Sequence, residues 1–206
     1  MAPSTLKTLR AALGALACGT LLQQPATALE LGGTRLDDSV NVGGTALQLN
    51  GAGVGTRAWF KVYVVALYLN EPARKAADVL ATSGPRRLTI LLLRDIAAND
   101  FGEVISAVLN TSTDAQEKTR LAEHATQLSL ALTALPAGLK KTDRLTLDWV
   151  PGTGTVITLN QRSLTLPIQD IAFYNALLRI WLGEHPADPA LKTRLLGEPA
   201  DRRAAL

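Results

Sequence analysis

The stretch RAWFKVYVVALYL, residues 57–69, alternates between two kinds of position, and a period of two is typical of a β-strand. All even positions are apolar or aromatic, so we expect them to face the core. The odd positions are polar or aromatic at the start and apolar further on: Arg57, Trp59, Lys61, Tyr63, Val65, Leu67 and Leu69. The pattern predicts one strand whose odd face crosses from a solvent-facing rim into an apolar cleft.

Strand and helix patterns also divide the rest of the chain. Strand patterns occur at 46–50, 86–94, 145–150, 155–159 and 163–167. Helical patterns occur at 71–81, 99–109, 113–135, 168–182 and 188–196. The turn residues 151–154 (PGTG) predict a hairpin. Strands, then helices, a hairpin and more helices predict an α+β fold, in which helices cover one side of an antiparallel sheet.

The glycine-rich segment 51–55 (GAGVG) stands between two strand patterns. A dinucleotide site places such glycines before a helix, because the N-terminus of that helix receives the phosphates. A strand pattern follows this segment instead. The segment therefore predicts a β-bulge or a tight hairpin and argues against nucleotide binding.

The N-terminal segment has the features of a secretory signal peptide. Lys7 and Arg10 supply a positive start, an uncharged apolar stretch follows, and the segment ends in an A-x-A cleavage pattern. We expect residues 1–28 to be a signal peptide that is cleaved near Ala28. Residues 29–206 would then form a single domain of a periplasmic or secreted protein. No later segment is long and apolar enough to predict a transmembrane span.

Cysteine content and charge narrow the classes of protein further. Cys18 is the only cysteine, so the mature chain would have no disulfide. Lipidation of Cys18 is an alternative, although the residues before it match a lipidation box poorly. The net charge of +3 falls to +1 without Lys7 and Arg10, and so small a charge does not indicate a nucleic-acid partner.

Few residues of the mature chain suggest catalysis. His124 lies within a helical pattern and His185 lies between two of them, and neither has another metal-binding residue type at a useful spacing. Residues 29–206 contain no cysteine nucleophile and no recognisable Ser-His-Asp pattern. We therefore expect no metal and no cofactor.

Three stretches carry a resemblance to a known family: NGAGVGTRAWFKVYVVALYL, RRLTILLLRDIAANDF and FYNALLRIWLGEHPADPALKTRLLG. Together they resemble the bacterial branch of the chalcone isomerase-like family, over roughly residues 30–197. The resemblance implies an open-faced β-sandwich: a large antiparallel sheet, a layer of helices against it and a ligand cleft between them. In this family, plant chalcone isomerases close a flavanone ring and use an arginine to stabilise developing negative charge. Related plastid proteins bind fatty acids with an arginine and a tyrosine.

The resemblance carries over to single positions only in part. The arginine of the family falls at Gly55, and the nearest cation is Arg57, two residues further along. Tyr63 matches the tyrosine of the fatty-acid-binding members. Phe101 and Val108 stand where the isomerases have a tyrosine and an asparagine, and neither side chain can polarise a carbonyl.

We therefore expect an exported, non-catalytic binding protein for a fatty acid or similar amphipathic small molecule, with Arg57, Tyr63, Trp59 and Phe101 as ligand-binding residues. Arg57 and Tyr63 would lie about 20 Å apart on one straight strand, unless a bulge shortens the distance. A chalcone isomerase-type intramolecular lyase acting on an enone or phenolic substrate is the alternative. A module whose cleft is filled by its own side chains is the third. The sequence identifies no protein partner.

Overall fold

A computed structural model describes residues 29–57, 60–97, 115–186 and 188–198, together with the single positions 100, 102, 106 and 109. Several predictions fall outside the described residues: the signal peptide, the side chain of Arg57, Trp59, Phe101 and Val108.

The described residues form nine strands and four helices. The strands are β1 (Leu29–Leu31), β2 (Thr34–Leu36), β3 (Ser39–Val42), β4 (Thr45–Arg57), β5 (Phe60–Leu69), β6 (Arg86–Leu92), β7 (Arg144–Val150), β8 (Gly154–Leu159) and β9 (Arg162–Ser163). The helices are α1 (Ala76–Ala81), α2 (Ala115–Thr133), α3 (Ile171–Leu182) and α4 (Pro189–Leu195). The single positions described between 100 and 109 are also helical, in agreement with the pattern there.

Seven of these strands form one sheet in the order β3-β4-β5-β6-β7-β8-β9, and β1 and β2 pair separately. Every neighbouring pair is antiparallel. The spatial order therefore equals the chain order, although helices lie in the connections from β5 to β6 and from β6 to β7. The predicted α+β fold with a large antiparallel sheet is confirmed.

The predicted strand over 57–69 is wrong at its start. The glycines of 51–55 lie inside β4, and the chain reverses between Arg57 and Phe60, which pair with each other. The register shifts between Leu49 and Gly51 and again between Gly55 and Thr56. The bulge interpretation of the glycines is thus correct and the hairpin interpretation is not.

The sheet is buried on both sides. The odd positions of β5 from Val65 to Leu69 pack with side chains of all four helices, and we call this side the helix face. The even positions Val64, Ala66 and Tyr68 pack on the other side with residues such as Leu36 and Leu47, and we call this side the opposite face. The prediction that the even positions face a core is confirmed for Val64, Ala66 and Tyr68 and is wrong for Phe60, which is 60% exposed. From Val65 onwards the odd positions face the larger core.

Two glycines of β4 allow α4 to pack directly on the strand. A Cβ atom on Gly51 would lie 2.1 Å from the carbonyl oxygen of Arg194, and one on Gly53 would lie 2.6 Å from Leu191 Cδ1. Asn50 fixes the same contact, because its Nδ2 donates to the carbonyl oxygen of Leu195 over 2.7 Å. These glycines are therefore required by packing and not by a turn.

Aspartate side chains cap the starts of α3 and α4. Asp188 caps α4 by accepting a hydrogen bond from the Leu191 amide, as its sequence position before a proline predicts. Asp170 caps α3 in the same way, so this helix begins later than predicted. Ile168 instead forms a bridge with Thr155, and of the predicted strand at 163–167 only Ser163 lies in a strand, β9.

α3 forms the centre of the helical layer. Its sequence, IAFYNALLRIWL, is apolar on most of its surface, and eight of its residues are buried. A helix that is apolar nearly all round has to be covered on several sides. Within the described parts of the chain, no helix is both long and apolar enough to cross a membrane.

Candidate functional site

Two polar side chains, Tyr63 and Arg86, interrupt the helix face at opposite ends. Tyr63 pairs with Leu92 across β5 and β6, and Arg86 pairs with Leu69 at the far end of the same two strands. Six residues separate Leu92 from Arg86 along β6, which corresponds to about 20 Å. The positions between the two ends are apolar and buried.

Tyr63 is half-buried and contacts the end of α3. The Nε1 of Trp181 donates a hydrogen bond to the Tyr63 hydroxyl oxygen over 3.3 Å, and the two rings meet edge to face with centroids 6.5 Å apart. Burial raises the pKa of Tyr63, the bond from Trp181 opposes that increase, and the negative charge of Asp188 adds to it. Tyr63 is therefore a neutral hydroxyl that can still donate its own proton.

Gly55 lies directly opposite Tyr63 and gives its ring room. A Cβ atom at Gly55 would lie 2.2 Å from Cε2 of Tyr63. An arginine at this position, as the resemblance leads one to expect, is incompatible with the present place of the tyrosine ring. The departure from the family pattern at Gly55 thus has a steric counterpart in Tyr63.

The backbone of Arg57 is closer to Tyr63 than the single-strand prediction allowed. Arg57 lies on β4, two residues beyond Gly55, which is the partner of Tyr63. Two residues along a strand span about 7 Å. The predicted separation of about 20 Å between these two positions is therefore wrong, because the chain reverses between them.

Exposed cations and an aromatic ring border the same end of the sheet. The guanidinium of Arg94 lies 5.0 Å from the centroid of the Phe60 ring, and 60% of the Phe60 surface is exposed. Lys61, next to Phe60, is exposed as well. These side chains lie at the end of the sheet where β5 begins, and sequence reasoning did not single out Arg94 or Phe60.

Arg86, at the other end, is fully buried. Its Nη1 donates to the carbonyl oxygens of Val79 (2.8 Å) and Leu80 (3.4 Å) and to Oδ1 of Asn175 (3.2 Å). Its guanidinium carbon lies 5.0 Å from the centroid of the Tyr174 ring. Burial lowers the pKa of Arg86, and the neighbouring Tyr174 opposes this. Its Nε and Nη2 have no hydrogen-bond partner among the described residues.

The apolar part of the helix face is filled by the protein itself. Val65 and Leu67 of β5, predicted to line a cleft, are fully buried against residues of the helical layer. A groove of about 450 Å³ lies elsewhere, along α2. It is lined by Ser106, Leu109, Lys118, Thr119, Ala122, Ala125, Thr126, Ser129 and Leu130, none of which belongs to the sheet.

Acidic and histidine side chains are dispersed. Within the described ranges, no group of three or more His, Cys, Asp and Glu residues could hold a metal ion. His124 Nε2 lies 3.7 Å from Oδ2 of Asp170, and its ring meets Phe173 edge to face. This contact joins α2 to the cap of α3 and has no obvious catalytic geometry.

Sequence reasoning missed Trp181 and Arg86. Trp181 stands in the WLG segment that carried the family resemblance, so its place was a usable signal. Arg86 and Arg87 open a strand that is apolar on both faces. One of two consecutive strand residues must point to each face, so one arginine had to enter the helix face.

These features define an α+β protein with a seven-stranded antiparallel sheet, a helical layer on one face and polar groups at both ends of the buried interface. A sequence model of the chalcone isomerase-like family matches residues 28–197, so the chain belongs to the chalcone isomerase-like family. The resemblance inferred from the three sequence stretches is confirmed.

A solved structure with the same fold is that of a fatty-acid binding protein from Arabidopsis thaliana. The TM-score is 0.62 at 11% sequence identity, and the match covers 82% of this chain and 95% of the plant protein. At this identity the likeness concerns the fold alone. No curated protein matches the chain in sequence.

Proposed function

We propose that this chain is a non-catalytic binding protein for a fatty acid or a similar amphipathic small molecule. The observation that carries the proposal is the half-buried Tyr63 hydroxyl at the edge of an otherwise apolar interface. Because Trp181 donates to its oxygen, the phenolic proton remains available to a ligand oxygen. A neutral donor beside an apolar layer suits a ligand with one polar end.

The proposed ligand-binding residues are those that the sequence suggested: Arg57, Tyr63, Trp59 and Phe101. The backbone position of Arg57, near the strand partner of Tyr63, is compatible with a shared role at one end of the sheet. The fatty-acid binding activity named for the plant structure supports this ligand class. We also propose export, with cleavage near Ala28 and residues 29–206 as a single domain.

The isomerase alternative has less support. Chalcone closure by this fold uses an arginine that steadies negative charge, and Gly55 stands at the family position. The raised pKa of Tyr63 makes this phenol a poor general base near neutral pH. Phe101 and Val108 lack the polar groups of the isomerases. We therefore retain the lyase activity only as an alternative to be measured.

The first test is native mass spectrometry of the full chain, expressed with its N-terminal segment and purified from the periplasm without detergent. We expect a polypeptide mass that lacks residues 1–28 and a discrete adduct that extracts as a fatty acid or another amphiphile. A bare polypeptide that stays bare after incubation with palmitate would refute lipid binding. Stereoselective closure of a chalcone by the same sample would establish the lyase instead.

The matched variants for the site are Tyr63→Phe and Tyr68→Phe, which remove one hydroxyl each from opposite faces of β5. We expect palmitate affinity to fall about fivefold in Tyr63→Phe, for the loss of one hydrogen bond, and to stay unchanged in Tyr68→Phe. Equal palmitate affinity in the two variants would remove Tyr63 from the site while leaving the lipid-binding proposal to the adduct measurement.

A further inference from the structure

Exposed cations gather at the end of the sheet where β5 begins. The Leu93 amide donates a hydrogen bond to the Val62 carbonyl oxygen at this end. Lys61 and Arg94 are the next residues outwards, so their backbones lie at neighbouring strand ends. Both side chains are exposed, and neither forms an ion pair with a described residue. Like charges on neighbouring strands destabilise a sheet, so an anion from outside the chain would relieve this pair.

The connection before β7 brings another cation to the same place. The Thr142 amide donates to the carbonyl oxygen of Leu92, the last residue of β6. The neighbouring Lys141 is exposed and forms no ion pair with a described residue. Lys140 differs, because its Nζ lies 3.1 Å from Oδ2 of Asp95. Lys141 thus joins the uncompensated cations of β5 and β6.

Cations outnumber carboxylates at these strand ends. Asp95 is bound to Lys140, and Asp143 accepts a hydrogen bond from the Lys140 amide. The described cations at the strand ends and their connections are Lys61, Arg94, Lys140, Lys141, Arg144 and Arg162, and the described carboxylates there are Asp95, Asp100 and Asp143. The connection from α3 to α4 is acidic, with Glu184 and Asp188, and is not part of this surface.

An apolar ring lies among the cations. Phe60 is mostly exposed, and its ring centroid lies 5.0 Å from the guanidinium carbon of Arg94. At the surface of an anionic bilayer a ring can enter the boundary of the acyl chains while cations meet the headgroups. A small anion in solution would engage the cations alone and leave the ring in water. The combination therefore favours a lipid surface.

We propose that the surface formed by Phe60, Lys61, Arg94 and Lys141 docks on an anionic lipid membrane. The docking needs no bound ligand and so goes beyond the proposed function. Its place is compatible with that function, because Lys61 and Tyr63 are two residues apart on β5, about 7 Å. An amphiphile that leaves the membrane at this surface would meet the Tyr63 hydroxyl close by.

The test is sedimentation of the protein purified from the periplasm with lipid vesicles, in the absence of palmitate. One set of vesicles is pure phosphatidylcholine, and the other contains equal parts of phosphatidylcholine and phosphatidylglycerol. We expect binding to the anionic vesicles at least about tenfold tighter than to the neutral ones, because several cations approach the headgroups together. High salt should abolish the difference, since it screens exposed charges.

Two double variants with the same change of charge locate the contact. Lys61→Gln with Lys141→Gln should lose about tenfold to thirtyfold in affinity for the anionic vesicles. The control is Lys75→Gln with Lys118→Gln. These lysines are also exposed, but Lys75 lies in the connection from β5 to β6, at the other end of the sheet, and Lys118 lies in α2. The control should lose less than about twofold, and equal losses in the two double variants would refute a defined docking surface.

A second pair of variants tests the ring. Phe60→Ala should weaken binding to the anionic vesicles about fivefold to tenfold, because less apolar surface enters the bilayer. Leu166→Ala removes another exposed apolar side chain, outside the proposed surface, and should leave the affinity unchanged. If Phe60→Ala bound like the wild type, the ring would stay in water and a bilayer would not be the partner.

The remaining outcomes separate this proposal from its competitor and from the proposed function. If polyglutamate bound as tightly as the anionic vesicles, with the same dependence on Lys61 and Lys141, the surface would fit an acidic protein and the membrane proposal would be wrong. Wild-type protein that binds neither kind of vesicle would also refute it. Neither result touches the adduct measurement, which alone decides whether the chain carries an amphiphile.

Discussion

Arg86 and Arg87 are neighbours on one strand and face opposite sides of the same sheet. On the opposite face, Arg87 is held by Asp148, and the hydrogen bond that Arg87 donates to this carboxylate is the main reason why the pKa of Arg87 rises. On the helix face, the described residues place backbone and amide oxygens on Nη1 of Arg86 and on neither of its other two nitrogens. Both are arginines of β6, but Arg86 is fully buried whereas 22% of the Arg87 side chain is exposed. Among the described residues, only Arg87 has a carboxylate partner.

The two faces of the sheet therefore differ in how completely their buried polar groups are paired within the described residues. The opposite face pairs its buried charges internally and contains the smaller core. The helix face contains the larger core and keeps donors unpaired at Arg86. Its Tyr63 also keeps a proton to donate, although its oxygen is already engaged. Natural proteins tolerate such departures from full pairing mainly at functional sites.

The largest expected change in stability concerns β4. Its glycines on the helix face leave no room for a side chain, because α4 packs directly on them. Gly51→Ala would drive a Cβ atom into the Arg194 carbonyl, which is backbone and cannot rotate away. We expect a loss of about 3 kcal/mol in the free energy of unfolding, measured by urea denaturation. The control is Gly84→Ala, where a Cβ atom meets nothing within 4 Å, and its effect should stay within about 0.5 kcal/mol. Equal effects would mean that α4 does not pack on β4.

The next effect concerns the paired arginine. Asp148→Asn would leave Arg87 without its carboxylate in a mostly buried setting, and we expect a loss of about 2 kcal/mol in urea denaturation. Arg86→Met should cost much less, because it removes a cation that no carboxylate of the described residues stabilises. If Arg86→Met lowered the free energy of unfolding as much as Asp148→Asn, Arg86 would be as well stabilised by its neighbours as Arg87. The proposed difference between the two faces would then be wrong.

The smallest expected change is a decrease in the free energy of unfolding in alkaline solution, and it depends on Tyr68 on the opposite face. Burial, followed by the negative charge of Asp37, raises the pKa of Tyr68 to about 12 from 10.0. Between these values the unfolded chain loses the Tyr68 proton first. The free energy of unfolding should therefore be unaffected by Tyr68 below pH 10, and fall by about 1 kcal/mol per pH unit above it.

Urea denaturation at several alkaline pH values measures this slope, and Tyr68→Phe should flatten it. Tyr63 and Tyr174 also have raised pKa values, so part of the decline should remain in the variant. If the free energy of unfolding fell with pH equally steeply in Tyr68→Phe and in the wild type, the pKa of Tyr68 would not be raised by burial in the folded protein.

Local signals in the sequence predicted those parts of the fold that local interactions determine. The hairpin of β7 and β8 follows from alternating strands around a turn whose Gly152 and Gly154 adopt positive φ angles. The cap at Asp188 follows from the proline after it. The turn between Arg57 and Phe60 could not be found in this way, because strand-forming residues continue through it and the glycines nearby suggested a turn elsewhere.

The candidate site was predictable only where a residue type matched a family position. Tyr63 was found in that way, but its bond to Trp181 joins residues 118 positions apart, which no local pattern encodes. The unpaired edge of Arg86 depends on the three-dimensional arrangement, in which no carboxylate of the described residues reaches it. Periodicity could require one buried arginine in β6, but it could not tell which of the two the chain would pair with Asp148.

The contact of Asn50 with α4 bears on the order in which the parts of the fold can form. Its hydrogen bond to Leu195 joins residues that are 145 positions apart in the chain. Gly51 and Gly53 of β4 pack against the same helix, α4. A ribosome or a translocation channel would deliver β4 long before α4, so the sheet would carry an uncovered apolar stripe until nearly the whole chain has emerged. A chain that ends before Asp188 should therefore remain loosely packed, with weak near-ultraviolet dichroism, whereas the full chain gains its fixed core at the last step.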